Sequence, residues 1–230
     1  MKYFNTMHTL YQIVRTKLKL LLRRGVSKSY SQFGEDMVVK AALRSVTKGF
    51  YIDIGAFDPV LYSNTYAFYK KGWHGLVIDP NSTLKPLYAL ERPRDTFVLA
   101  GVGKEKETRE YHRFNDESYN TFDTNEAMQY LKTNKNLKET LCYPVNIVPL
   151  SQILKDHPVT KIDFLSIDAQ GMDLSVLQSH DWNIKPTVIA VESDFNAEYI
   201  TKSEVYMYLA ERGYTLVGVA GLTLLFKLKQ

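Results

Sequence analysis

Apolar residues in this chain come in short runs that stop at a small residue or a carboxylate. Gly49–Ile54, Gly75–Asp79, Thr96–Ala100, Lys161–Asp168 and Pro186–Val191 are each rich in β-branched or aromatic side chains, the pattern of buried strands. Between them the spacing turns helical. Ser31 can cap a helix whose apolar side is Met37, Val38, Ala41, Ala42 and Leu43; Val60–Lys71, Thr83–Leu90, Leu150–Lys155, Leu174–Leu177 and Lys202–Arg212 follow. The interval from Asp53 to Asp79 suits one helical crossover between parallel neighbours. Tyr214–Val219 and Leu222–Leu228 predict a closing antiparallel pair around Ala220-Gly221. The alternation as a whole predicts an α/β domain.

Two stretches depart from it. Residues 104–147 are less regular: Arg109–Phe114 alternates weakly, the stretch to Asn125 reads as loop, and Glu126–Leu131 as helix. This segment is expected to be an insertion or lid over the sheet edge, or else a solvent-facing excursion. At the N-terminus, Leu10, Ile13, Val14, Leu18, Leu21 and Leu22 recur at helical spacing among Arg15, Lys17, Lys19, Arg23 and Arg24. Residues 1–29 thus read as a basic amphipathic arm and 30–230 as one domain.

Charge sharpens the division. The formal net charge is +4, yet residues 1–30 hold seven Lys or Arg and no Asp or Glu, leaving 22 basic and 25 acidic groups, or −3, in the body. The body gives no argument for nucleic acid. The arm's uncharged stretch is too short to span a bilayer, and it lacks a signal-peptide core. Three readings remain for residues 1–24: an interfacial helix on anionic lipid, a helix docked on a partner protein, or a surface helix packed on its own domain. The expected location is cytoplasmic, including the inner face of the membrane. The single cysteine, Cys142, excludes an internal disulfide, and among Leu141, Tyr143 and Pro144 it reads as a core or half-buried thiol.

The chemistry centres on Asp53-Ile-Gly55-Ala56. A strand ending in this small-residue turn lets a ligand approach the backbone, although the turn is not a full Gly-x-Gly-x-x-Gly fingerprint, which argues against a nicotinamide or flavin. Asp79 ends the second strand, where a carboxylate can accept hydrogen bonds from a ribose diol or cap the next segment. Gly101 and Gly103 form another loop at that edge.

The ordered blocks Ser31-Gln-Phe-Gly-Glu-Asp36, Tyr51-Ile-Asp-Ile-Gly-Ala56, Ser63-Asn-Thr65, Gly72-Trp-His-Gly-Leu-Val-Ile-Asp79-Pro80 and Phe164-Leu-Ser-Ile-Asp168-Ala-Gln-Gly171 resemble the FkbM-type methyltransferases, which use S-adenosylmethionine. The resemblance runs from Tyr30 to about Asp194. It implies the class I methyltransferase (Rossmann-like) fold, a seven-stranded mostly parallel sheet with an antiparallel last strand, and O-methylation, frequently of a sugar or polyketide hydroxyl. It places Asp53, Gly55 and Ala56 around the amino-acid part of the donor and Asp79 at the ribose. Ser63 and Asn64 become candidates at the donor's carboxylate end, Gln32 and Glu35 as part of a cover, and Gly101 near adenine or ribose.

Methyl transfer needs an aligned hydroxyl and somewhere for its proton to go. Asp168, Glu192 and Asp194 end adjacent predicted strands and could supply the base, or together hold a hard cation such as Mg2+. The plainer alternatives are that Asp168 caps the next helix and that Glu192 and Asp194 are solvated. His74 and His180 are further bases by residue type. Gln170 stands where the family usually has an acidic residue, and Asp173 where Glu is frequent. The expected activity is therefore O-methylation of a sugar hydroxyl in a glycan, glycolipid or related natural product; a non-catalytic sugar- or partner-binding module is the alternative.

Overall fold

The computed structural model describes residues 2–22, 27–169, 171–193 and 197–229. In chain order the elements are α1 (Lys2–Leu21), α2 (Glu35–Ala42), β1 (Phe50–Ile54), α3 (Tyr66–Tyr69), β2 (His74–Asp79), α4 (Leu84–Glu91), β3 (Thr96–Leu99), β4 (Gly101–Val102) and β5 (Glu107–Phe114). Then come α5 (Thr124–Thr133), β6 (Glu139–Val148), α6 (Leu150–Asp156), β7 (Phe164–Ile167), α7 (Asp173–Gln178), β8 (Val188–Glu192), α8 (Glu204–Glu211), β9 (Tyr214–Ala220) and β10 (Thr223–Leu228).

Seven strands form one sheet in the order β3-β2-β1-β7-β8-β10-β9. β1, β2, β3, β7 and β8 run parallel, and the last strand of the chain, β10, inserts antiparallel to both β8 and β9. This is a Rossmann-like class I methyltransferase topology. Strand alternation sorts the core into two layers. Ile52, Ile54, Leu165 and Ile189 pack on one face with Leu150, Ile153, Val176 and Leu209 from α6, α7 and α8. Tyr51, Val77 and Phe164 pack on the other with Val39, Phe68, Leu84 and Tyr88 from α2, α3 and α4. Each such aliphatic side chain contributes about 1.5–3 kcal/mol when withdrawn from water, so both faces hold the strand ends in register.

Several expectations are corrected. Only Tyr66–Tyr69 of the anticipated 60–71 helix is α-helical. The Asp58 carboxylate accepts from the N–H of Val60 and of Leu61, each at 2.7 Å, and Tyr62 has φ 57°, so a local turn replaces the first helical turns. The 104–147 stretch is more ordered than its sequence suggests: β5 and β6 form a long antiparallel pair, and with β4 a second sheet of order β4-β6-β5. Cys142 is exposed on β6 and its thiol donates to Glu110 Oε2 at 3.3 Å, so the core reading is wrong; partial burial and that carboxylate push its pKa up to about 11. Ser31 is not at the cap position, which is Gly34, yet its hydroxyl still accepts from the Asp36 N–H at 3.2 Å. No helix among the described residues is long and apolar enough to cross a membrane.

Candidate functional site

From β1 the chain steps outward through β2 to β3, then returns to β7 on the opposite side of β1. Neighbouring loops diverge at such a reversal and leave a crevice at the strands' carboxyl ends. A cavity of about 1060 Å³ opens there. Its floor is built from Asp53, Gly55 and Ala56 after β1, Asp79 after β2, Gly101 and Asp168; its far wall comes from Tyr111 on β5 and residues 116–126.

Gly55 sets the approach of β1 and β7. Its φ is 72°, its N–H donates to Ile78 O at 2.9 Å, and a Cβ at this position would lie 1.8 Å from the Asp168 carbonyl oxygen. A side chain would therefore force the two strand ends apart.

Asp53 is buried and accepts from Thr65 Oγ1. Burial pushes its pKa up to about 6, with the nearby Arg92 charge pulling the other way. Arg92 is one residue that sequence reading missed. It is 1 % exposed, and its guanidinium meets Asp95 Oδ2 at 2.6 Å, Thr65 Oγ1 at 2.9 Å, the Tyr51 hydroxyl at 3.0 Å and Ser63 Oγ at 3.2 Å. Asp95 in turn accepts from the Tyr51 hydroxyl and the Gly75 N–H. One buried cation thus ties α4, β1, β2 and the 63–65 turn together beneath the cavity. Arg92→Met is expected to lower the unfolding free energy by about 3–5 kcal/mol, because Asp95 stays buried without its partner. Arg92→Lys should recover little of this, lacking the planar fork. Urea unfolding of the three proteins measures it, and a loss below about 1 kcal/mol, the scale of an exposed pair, would contradict it.

Asp79 has both oxygens engaged from the backbone, Oδ1 by Asn81 N–H at 2.7 Å and Oδ2 by Phe57 N–H at 3.1 Å. It is 6 % exposed, and burial raises its pKa to about 6 against those two hydrogen bonds. The carboxylate is held in one orientation at the cavity floor, with lone pairs left for a ligand.

Among the remaining candidates, Gln32 and Asn64 line the cavity, and Asn64 donates to Ser166 Oγ at 3.1 Å. Ser63 and Glu35 are not part of its wall. Ser63 accepts from the Tyr66 N–H at 3.1 Å and from Arg92, while Glu35 accepts from the Phe33 N–H at 2.9 Å. Both brace segments that do line the cavity. Asp173, the first residue of α7, accepts from the N–H of Ala169 and Gly171 and so braces the turn before the helix; the cap position is Met172, so Asp168 does not cap α7.

Asp168 follows β7 and Glu192 ends β8, its parallel neighbour, and the two carboxyl groups share a hydrogen bond. Asp168 is reached from the cavity, yet enough atoms crowd it to penalise its charge. That desolvation comes first, then the Glu192 hydrogen bond and charge, and together they hold the Asp168 pKa far above the carboxylate range. Asp194 and Gln170 lie outside the described residues.

Neither histidine considered as a base is available. His74 is exposed at the start of β2, the end away from Asp79. His180 is buried, its Nδ1 accepts from the Trp182 N–H at 2.7 Å, and burial pushes its pKa down to about 4. His112, Glu139 and Cys142 cluster on the small sheet, but His112 Nδ1 meets Glu139 at 2.6 Å and Cys142 is engaged by Glu110, so these side chains satisfy one another.

A sequence profile described as "Methyltransferase FkbM domain" matches residues 53–216. The chain belongs to the FkbM methyltransferase family. A search of curated proteins found no match. Family membership carries dependence on S-adenosylmethionine as methyl donor, and the matched span holds Asp53, Asp79, Asp168 and Glu192. Tyr111 and Phe122, whose rings lie 4.8 Å apart on the wall near Gly101, also fall within it; both escaped sequence reading because their stretch has too little periodicity.

Proposed function

We propose that this FkbM-family protein transfers the methyl group of S-adenosylmethionine to a sugar hydroxyl in a glycan, glycolipid or related natural product. The observation that carries the reading is that Asp53, Asp79 and Asp168, from three strand ends, face one cavity. In this reading Asp53 receives the donor's ammonium and Asp79 its ribose hydroxyls, while Gly55 and Ala56 leave room for the chain between them. Adenine lies by Gly101 and the Tyr111–Phe122 wall, and the 104–147 segment serves as the lid.

The donor supplies an electrophilic methyl on a sulfonium. The acceptor oxygen forms a bond to that carbon, the C–S bond breaks, and its electron pair neutralises the sulfur. The hydroxyl proton passes to the Asp168–Glu192 pair in its ionised form. A second reading uses the same geometry. Two facing carboxylates are a hard oxygen donor set, and Mg2+ could bind them together with the acceptor oxygens.

Isothermal titration with S-adenosylmethionine and its demethylated product tests the donor half. The Asp53 pKa lies near 6 rather than 3.8, so between those values the folded chain holds more protons than the unfolded one. Stability of the donor-free protein should therefore fall as pH rises from about 4 to about 6, with Asp79 adding to the slope, and go on falling above that because the Asp168 pKa is raised further still. Donor binding has the opposite sign, because the ammonium favours ionised Asp53. Affinity should weaken by up to about tenfold per unit below pH 6 and be flat above it until the donor's own ammonium loses its proton at about pH 8. Absence of binding to either molecule would remove the enzymatic reading and leave the sugar- or partner-binding module. Mass spectrometry of glycans and glycolipids incubated with labelled donor, with and without chelator, tests the acceptor half; label on no saccharide would reject it.

A further inference from the structure

We propose that α1 is an in-plane docking helix for an anionic lipid bilayer. The inference is independent of which acceptor the cavity takes. Every α1 side chain that the structure describes is exposed, and none belongs to the hydrophobic clusters of the domain. The reading in which this helix packs on its own domain is thereby excluded for those residues.

The exposed side chains are strongly apolar: Tyr11 is 63 % exposed, Val14 57 %, Leu18 52 % and Leu21 80 %. They follow one another at intervals of three and four residues and so form a single row. Leu22, 56 % exposed, extends it, since its N–H still donates to Leu18 O at 2.9 Å. At 3.6 residues per turn the row covers roughly a third of the circumference, with Arg15 and Lys19 along one border and Lys17 along the other. Among the described side chains Gln12 and Thr16 occupy the far side, with Ile13 an apolar exception there. Long basic side chains on both borders of an apolar stripe can lay their stems on hydrocarbon and reach headgroup phosphates.

Two facts select the occupant. An amphipathic helix gains most of its stability from whatever covers its apolar face, and the domain does not cover this one. The charge is single-signed, with seven Lys or Arg and no Asp or Glu across residues 1–30, against −3 for the remainder. An anionic lipid surface matches both the stripe and its borders, while the net −3 of the body adds no attraction of its own. The helix is too polar to cross, so it lies in the plane.

Sedimentation of the full chain with vesicles tests this, comparing phosphatidylcholine alone with a phosphatidylcholine–phosphatidylglycerol mixture. Binding is expected to the mixture and not to the neutral vesicles, to weaken as salt is raised, and to fall at least about tenfold in the Leu18→Glu, Leu21→Glu double variant. S-adenosylmethionine affinity, read by titration on the same variant, should not change, which separates this proposal from the catalytic one. No binding to the mixed vesicles, equal binding to both, or a wild-type dimer that the double variant dissolves would each overturn it.

Discussion

Asp168→Asn is expected to lower kcat by about 10²- to 10⁴-fold, the usual worth of a positioned acid–base group, while leaving donor affinity intact. Asparagine has nearly the shape of a protonated carboxyl, and its amide can still donate to Glu192. The substitution therefore keeps the fold and the contact but removes the site that exchanges a proton. Turnover with a methyl-accepting saccharide, measured from pH 5 to 9, reads the effect; the wild-type profile should report the pair's titration and the variant's should not. Chelator separates the two versions of the mechanism. Activity that persists in chelator assigns the pair to proton transfer, whereas activity lost in chelator and restored by Mg2+ assigns it to metal binding. Full activity in Asp168→Asn would dismiss both roles.

Gly55→Ala should be the most damaging single methyl in the protein. The added Cβ would lie 1.8 Å from the Asp168 carbonyl oxygen and 2.9 Å from its carbon, and the obstruction is backbone between two central strands. No rotamer change relieves it, and φ 72° adds strain of roughly 1–2 kcal/mol for a residue with a side chain. A total loss above about 4 kcal/mol is expected, seen as failure to fold or as a large drop in the urea midpoint. Gly34 is the internal control: its φ is 89° but nothing lies within 4 Å of the added methyl, so Gly34→Ala should cost only the backbone term of roughly 1–2 kcal/mol. Equal midpoints for the two variants would mean that β1 and β7 do not approach as described.

The comparison of sequence with structure turns on the range over which each feature is encoded. β1, β2, β7 and β8 were readable because a buried parallel strand is a short uninterrupted apolar run, and the runs of β1, β2 and β7 stop at the carboxylate or turn that faces the cavity. The 60–71 segment misled because aromatic residues at helical spacing give no hint that Asp58 will take two backbone donors for a turn. The 107–148 pair misled for the opposite reason. Its strands are largely solvent-facing, with β6 burying little more than Val145 and Ile147, so alternation is faint.

By itself, then, the sequence determined the strand–helix order, the parallel sheet and the placing of Asp53, Asp79, Asp168 and Glu192 at strand ends, all consequences of periodicities a few residues long. Only the tertiary structure decided that Glu192 stands beside Asp168, that Arg92 joins Tyr51, Ser63, Thr65 and Asp95 under the floor, and that Tyr111 and Phe122 close the far wall. Most of those contacts span 27 to 41 residues or cross between strands distant in the chain, and a pairing made across folded space leaves no local pattern to read.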